Sequence, residues 1–176
     1  ARQKMAGYEA ALQDAGYPIR GNLKFKTKND IEYTRDMLLE YNRILDFDSV
    51  LATEDGIAIG AGMAAAAKIQ KKDYFTYGIC GDGELQEGVC WEGVNMATGR
   101  KLDNLVVFVD RNGWQSYKSV DFTVGQNNIA DRFRAFGWHT QEISGHDIDG
   151  IKAAVAIAKG YKGKPHAIVC DCIKGK

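Results

Sequence analysis

From Tyr74 onward two hydrophobic patterns take turns along the chain. Short apolar runs of strand type fall at 74–80, 105–110, 138–143 and 166–172, and stretches with apolar residues at helical spacing fill 56–70, 84–100, 128–136 and 147–160. Strands that alternate with helices predict an α/β fold, an open parallel sheet covered by helices on both faces. Asp147 is the expected N-cap of the last helix and Gly160 its stop. Gly163 and Pro165 punctuate the turn into the final strand.

The first 55 residues follow another pattern. Ala6 to Asp14 is helical in spacing and stops at Gly16-Tyr17-Pro18, and a polar, basic stretch from Lys24 to Lys28 comes next. Asp30 to Leu45 again carries apolar residues at helical spacing (Ile31, Met37, Leu38, Tyr41 and Leu45), with Asn29 or Asp30 as its cap. There is too little apolar material here for a separate core. The expected organisation is a helical arm, residues 1–55, packed on an α/β domain, residues 56–176.

Composition narrows the functional classes. Lys plus Arg and Asp plus Glu both number 23, so the net charge is zero and no electrostatic case for nucleic acid or a membrane surface arises. The longest apolar candidate, Gly56 to Ile69, is too short for a membrane span and rich in Gly and Ala. The four cysteines, Cys80, Cys90, Cys170 and Cys172, lack zinc spacing apart from the weak Cys-Asp-Cys near the end, and read as buried, reduced thiols of a cytoplasmic protein. No signal peptide is visible, and a chain that starts at Ala1 leaves room for a leader or an upstream segment.

The chemistry concentrates at two strand ends. Gly81-Asp82-Gly83 closes the run Tyr74–Cys80, and Asp110-Arg111-Asn112-Gly113 closes Leu105–Val109. In a parallel sheet the carboxyl edge of the strands is where ligands bind. Gly81 and Gly83 let backbone approach a phosphate, and the amides that open the helix at 84 face an anion. Asp82 and the Asn112 side-chain oxygen are hard ligands suited to Mg²⁺ or Ca²⁺. Either motif alone is most often a turn. Both together, after buried-type strands at one βαβ spacing, point to a metal that holds a diphosphate.

Gly81-Asp-Gly-Glu-Leu-Gln-Glu-Gly88 with Trp91-Glu92, Leu102-Asp-Asn-Leu105 and Val109-Asp-Arg-Asn-Gly113 resembles the diphosphate-binding domain of transketolase, most of all the N-terminal subunit of split, two-chain transketolases. Arg134-Ala-Phe-Gly-Trp138, Gly145-His-Asp-Ile148, Lys162-Gly-Lys-Pro165, Gly62-Met-Ala64 and Ile173-Lys-Gly-Lys176 extend the likeness over about residues 56–176. The resemblance implies the thiamine diphosphate-binding fold. It also implies that Asp82, Asn112 and the Trp114 carbonyl bind the metal, and that Gly81, Gly83 and Glu84 lie at the cofactor. Glu87 and Glu92, five apart on a helix that also carries Val89, Cys90, Trp91 and Val94, would line a dimer interface and couple paired active sites through hydrogen bonds. Their other reading is a solvated helix face. In the family, the glutamate that hydrogen-bonds the aminopyrimidine belongs to a separate pyrimidine-binding domain, which this sequence does not show. The expected partner is a pyrimidine-binding transketolase-like subunit, in a dimer or a heterotetramer.

The first 55 residues depart from that family. Ala1-Arg2-Gln3 stands where the family shows Lys-Gly-His, Asp36-Met37-Leu38 where it shows His-Pro-Asp, and Glu54-Asp55-Gly56 where it shows Gly-Gln-Gly. Those histidines contact the cofactor and the sugar in the family. The three histidines present are His139 and His166, expected to be structural at strand starts, and His146, at a strand-to-helix edge ahead of Asp147. Near a diphosphate, Glu54 and Asp55 would repel it unless a cation lies between. The family pattern continues past Lys176 and ahead of Ala1, so the sequence reads as the core of a longer subunit. Three functions follow from the resemblance: two-carbon ketol transfer between a ketose phosphate and an aldose, ketol or acyl transfer to a non-sugar acceptor, and a non-catalytic scaffold.

Overall fold

In the structure, a computed structural model, residues 2–19, 36, 40, 49–52, 56–125 and 128–175 are described. The chain divides into two compact units, Ala1–Phe47 and Asp48–Lys176. The first holds α1 (Arg2–Asp14), which stops where the sequence places its breaker: Gly16 takes φ +76°, and the Tyr17 amide donates back to the Leu12 carbonyl at 2.8 Å. Of the helix expected over Asp30–Leu45, the described residues Asp36 and Glu40 are helical and exposed, and the rest lies outside the described residues. Glu54 and Asp55 lie outside them too.

The second unit runs β1 (Ser49–Ala52), α2 (Gly56–Ile69), β2 (Phe75–Gly81), a 3₁₀ turn (Glu84–Gln86), α3 (Gly88–Gly99), β3 (Leu105–Arg111), α4 (Val120–Thr123), α5 (Ile129–Ala135), β4 (His139–Ser144), α6 (Ile148–Gly160) and β5 (His166–Asp171). All strand pairs are parallel, and the order across the sheet is β1-β2-β3-β5-β4. Steps from β1 to β4 advance in one direction, whereas β4 to β5 turns back. Right-handed crossovers therefore put α2, α3 and α5 on one face and α6 on the other.

Burial follows that division. Ile57, Ala61 and Ala64 of α2, Val94 and Ala97 of α3 and Phe133 of α5 pack with Leu105, Val107, Val109, Ala167 and Val169 on one face. Ala154 and Ala158 of α6 pack with Val106, Ile168 and Cys170 on the other. Neighbours in β3 and β5 thus serve opposite faces, which is why both runs read as continuously apolar.

Three elements differ from the sequence expectation, the first being the short helix α4, which the hydrophobic pattern does not announce. β1 joins the sheet ahead of the boundary drawn at residue 55. The helix expected over 84–100 is a single 3₁₀ turn and a separate α-helix, because Glu87 between them is extended (φ −82°, ψ 134°). Asp147 caps α6 as expected, accepting from the amides of Asp149 and Gly150, and α6 ends at Gly160. Among the described residues the four cysteines form no disulfide, with Cys80, Cys90 and Cys170 buried and Cys172 half-buried. Among the described residues no helix is long and apolar enough to cross a membrane.

Candidate functional site

β2 and β3 are neighbours with Gly81 opposite Asp110, so the two motifs end at the same edge of the sheet. Asp82 follows β2 and is 2% exposed. Its backbone N–H donates to the Asp110 carbonyl at 3.1 Å. Its carboxylate accepts from the Gly83 amide at 2.9 Å (Oδ1) and from the Gly113 amide at 2.7 Å (Oδ2). One side chain thereby ties the Gly-Asp-Gly turn to the Asp-Arg-Asn-Gly turn. Asn112 is half-buried, and its Oδ1 accepts from the Trp114 amide at 2.9 Å. Trp114 itself is 54% exposed, with its backbone bridged to Ser119. Asp82, Asn112 and Trp114 are thus brought together on one loop pair.

Two carboxylates, Asp82 and Asp110, are neighbours at this edge. Burial raises the proton affinity of Asp82, the Gly113 and Gly83 amides oppose that, and the neighbouring Asp110 carboxylate raises it again. Asp110 keeps Oδ1 buried and without a hydrogen-bond partner. Neighbouring carboxylates, Asp82 buried and Asp110 half-buried, are suited to a cation. The oxygens this loop pair offers are the Asp82 carboxylate, the Asn112 side-chain amide oxygen and the Trp114 carbonyl, a set of the hard type that Mg²⁺ and Ca²⁺ accept. Among the described residues no trio of His, Cys, Asp or Glu could hold a metal, so any site here depends on the amide and carbonyl oxygens. The residues present fit the implied ion.

The remaining expected residues are placed less alike. The Gly83 amide is engaged by Asp82, and a Cβ on Gly83 would stand 2.9 Å from the Cβ of Gln115. Around Gly81, by contrast, a Cβ would meet nothing within 4 Å. Glu84 binds backbone: its carboxylate accepts from the Gly81 amide at 3.2 Å and the Gly56 amide at 3.4 Å, joining the end of β2 to the start of α2. The helix start expected at 84 to face an anion instead falls at Gly88, beyond extended Glu87. Glu87 and Glu92 are exposed. On α3, Val89 and Met96 are exposed apolar neighbours of Glu92 at i−3 and i+4.

His139 and His166 stand at the starts of β4 and β5, the edge opposite the site, with their rings 5.0 Å apart. They are structural there. His146 lies in the turn after β4, at the same edge as Asp82, and its Nε2 accepts from the Ile173 amide at 3.0 Å.

Three contributors carry no role assigned from the sequence, although Asp110 lies within the second motif. Asp110 carries the orphaned oxygen beside Asp82; strand alternation turns it away from Val109 and toward its register partner Cys170. The Cys172 thiol hydrogen-bonds to Asp110, and burial first and that carboxylate second push its pKa up to about 12. Gln86 donates to the carbonyls of Val120 (3.3 Å) and Val124 (3.0 Å), bracing α4 from the 3₁₀ turn. Neither glutamine nor cysteine marks such a role in sequence. An acid inside an apolar strand such as Val-Val-Phe-Val-Asp is the one readable signal.

Residues 50–176 match the family model described as "Transketolase, thiamine diphosphate binding domain". The 6-deoxy-6-sulfo-D-fructose transketolase subunit SqwG of Clostridium sp. (strain MSTE9) is 41% identical over 121 residues, 69% of this chain and 44% of that subunit. An apulose-4-phosphate transketolase subunit of Phocaeicola vulgatus is 37% identical over 121 residues, 69% of this chain and 43% of the subunit. The chain therefore spans less than half the length of these curated relatives. Among solved structures, transketolase from Campylobacter jejuni superposes with a TM-score of 0.62 at 35% identity, covering 66% of this chain and 19% of that one. This chain belongs to the transketolase family, as its thiamine diphosphate binding domain.

Proposed function

We propose that this chain is the diphosphate-binding half of a split transketolase, which transfers a two-carbon ketol unit from a ketose phosphate to an aldose together with a pyrimidine-binding partner subunit. The observation that carries the reading is the buried Asp82 carboxylate, linked to Gly113 at 2.7 Å and placed beside Asn112 at one sheet edge. Both relatives named above are subunits, one named for a sulfonated sugar and one for a phosphorylated sugar. That pair supports a partner-dependent enzyme whose donor carries an anionic end.

Asp82, Asn112 and the Trp114 carbonyl would hold Mg²⁺, which binds the cofactor's diphosphate. Open space beside Gly81 leaves room for a phosphate, and Glu84 keeps the Gly81 backbone in place. Bound thiamine diphosphate supplies the carbon nucleophile, and the protein's part is binding and orientation. Glu92, exposed on α3 beside Val89 and Met96, and Glu87, exposed just ahead of that helix, would face a neighbouring copy and couple paired sites.

Calorimetric titration of thiamine diphosphate with Mg²⁺ into the assembled complex tests the site. Asp82→Ala and Asn112→Ala should each weaken binding by about a hundredfold, the loss of a charged or hard ligand being worth about 3 kcal/mol. Unchanged affinity in both variants would remove the assignment. Wild-type complex without metal-dependent binding would favour the scaffold reading instead. Turnover of non-sugar acceptors in place of an aldose would favour the second enzymatic reading.

A further inference from the structure

We propose that His146 is a positioning residue for the cofactor site, holding the chain after β5 against the loop that carries Asn112 and Trp114. The proposal rests on the functional reading above for its purpose, and on geometry for its substance.

Three consecutive residues after β5 are fastened to three separate parts of the site edge. The Cys172 amide donates to the Arg111 carbonyl at 3.1 Å, and its thiol binds the Asp110 carboxylate. The Ile173 amide donates to His146 Nε2 at 3.0 Å. The Lys174 ammonium donates to the Gln115 carbonyl at 2.8 Å. Gln115 is the residue whose Cβ sits against Gly83, and it immediately follows Trp114. Its amide is turned inward to the Lys118 carbonyl at 3.0 Å, and its side chain binds the Thr123 hydroxyl. A continuous line of contacts thus runs from His146 through Ile173 and Lys174 to Gln115 and Gly83.

His146 is the one member of this line whose side chain accepts a backbone hydrogen bond from the segment. An imidazole that accepts at Nε2 and is neutral carries its proton on Nδ1. The backbone that carries the ring is held by the turn that precedes α6: the His146 amide donates to Ser144 Oγ at 3.4 Å, and the Asp147 amide donates to the Ser144 carbonyl. On the other side, Gly145 has no side chain where Cys172 Sγ lies, so the segment passes flat against the turn. His146 and Ile173 are both exposed, so loss of their hydrogen bond leaves the amide to water and takes little global stability with it. What changes is the placement of Lys174 and, through it, of the Gln115 backbone.

The test pairs two readouts on the full chain. Amide hydrogen exchange on the cofactor-free protein is measured for His146→Phe, which keeps a ring and loses the acceptor, and for His146→Gln, which offers an amide oxygen. Phe should speed exchange by about tenfold at Ile173 and at Gln115, the loss of one hydrogen bond of about 1.4 kcal/mol, while Val107 and Val169 in the core stay unchanged. Gln should recover at least part of the protection. In the assembled complex, affinity for thiamine diphosphate with Mg²⁺ should fall in the same order, wild type above Gln above Phe, with equal thermal midpoints. Gly145→Ala, which drives a methyl group into Cys172 Sγ, should give the same local signature without touching the imidazole. Unchanged exchange at Gln115 in His146→Phe would overturn the proposal, as would equal losses in Phe and Gln or a general loss of core protection. If wild-type complex binds no thiamine diphosphate, the functional reading fails on that measurement, and the cofactor purpose of the clamp fails with it. The exchange pattern would still decide whether the clamp itself exists.

Discussion

Asp82 joins structure to the proposed metal chemistry in one buried carboxylate. Its two oxygens fasten both turns through the Gly83 and Gly113 amides, while burial and Asp110 raise its proton affinity. The flanking glycines, alike in the motif, are unlike in the fold. Gly83 takes ordinary helical dihedrals (φ −64°, ψ −34°), so its constraint is contact: a Cβ would stand 2.9 Å from Gln115 Cβ and 3.2 Å from its Oε1. Gly83→Ala should therefore lower stability by about 1–3 kcal/mol, the usual range for overpacking. Gly81→Ala meets open space and should change stability by less than about 0.5 kcal/mol. If the open space beside Gly81 receives a phosphate, that same substitution should weaken thiamine diphosphate binding with Mg²⁺. Urea unfolding and calorimetry on the two variants separate the effects. Equal destabilisation by both would contradict the contact argument.

The elements differ in how plainly the sequence announces them. β2, β3, β4 and β5 are readable because each is an apolar run bounded by turn residues, and α6 because Asp147 and Gly160 bracket it. Asp147→Ala should cost about 1 kcal/mol, since its carboxylate caps the amides of Asp149 and Gly150, and the drop is measurable as a shift in urea midpoint at unchanged slope. β1 is harder to see: four residues, Ser-Val-Leu-Ala, between acidic stretches carry too short an alternation to stand out. The break at Glu87 is hidden for another reason. Glu-Leu-Gln-Glu favours helix locally, but Glu84 is drawn back to the Gly81 and Gly56 amides and Leu85 is fully buried, so tertiary contacts end the turn early. At the site, Asp82 and Asn112 are legible because the proposed metal chemistry needs particular residue types at strand ends. Gln86, Gln115 and Cys172 are not, because each acts through backbone carbonyls or neighbours that only the folded chain brings near. Arg111 belongs with them. It bonds Asp171 at 2.6 Å and Glu142 at 3.1 Å, linking the ends of β3, β5 and β4 at a partly exposed position where such pairs contribute little, about 0–1 kcal/mol each.

At the scale of the whole sheet unit, the edge opposite the site sets how the fold responds to acid. His166 is fully buried at the start of β5, and neither ring nitrogen has a well-formed hydrogen bond among the described residues. Its ring lies 5.0 Å from His139 and 5.4 Å edge-on from Tyr161. Burial, and then the neighbouring His139, lower its pKa from 6.5 to about 4, with the Tyr161 backbone and Asp103 opposing in part. His139 is itself lowered by burial and by Lys164. The folded state therefore refuses a proton that the unfolded chain accepts. Stability from this source is complete above pH 6.5, declines as pH falls toward 4, and is constant below that. The shift corresponds to about 3 kcal/mol as an upper bound. Asp103 and Asp171, whose pKa values are lowered from 3.8 with Lys68 and Arg111 as partners, begin to lose stability as pH approaches 4 and go on losing it below, so the acid end of the wild-type curve does not isolate the imidazole. His166→Phe does: it keeps a ring against Tyr161 and removes the titrating group. Urea unfolding between about pH 7 and 4 should show a steep loss in the wild type and a markedly shallower one in the variant, with the difference building up between about pH 6.5 and 4. Parallel curves would mean that His166 reaches solvent when charged, and that the acid response of the fold lies in its carboxylates alone.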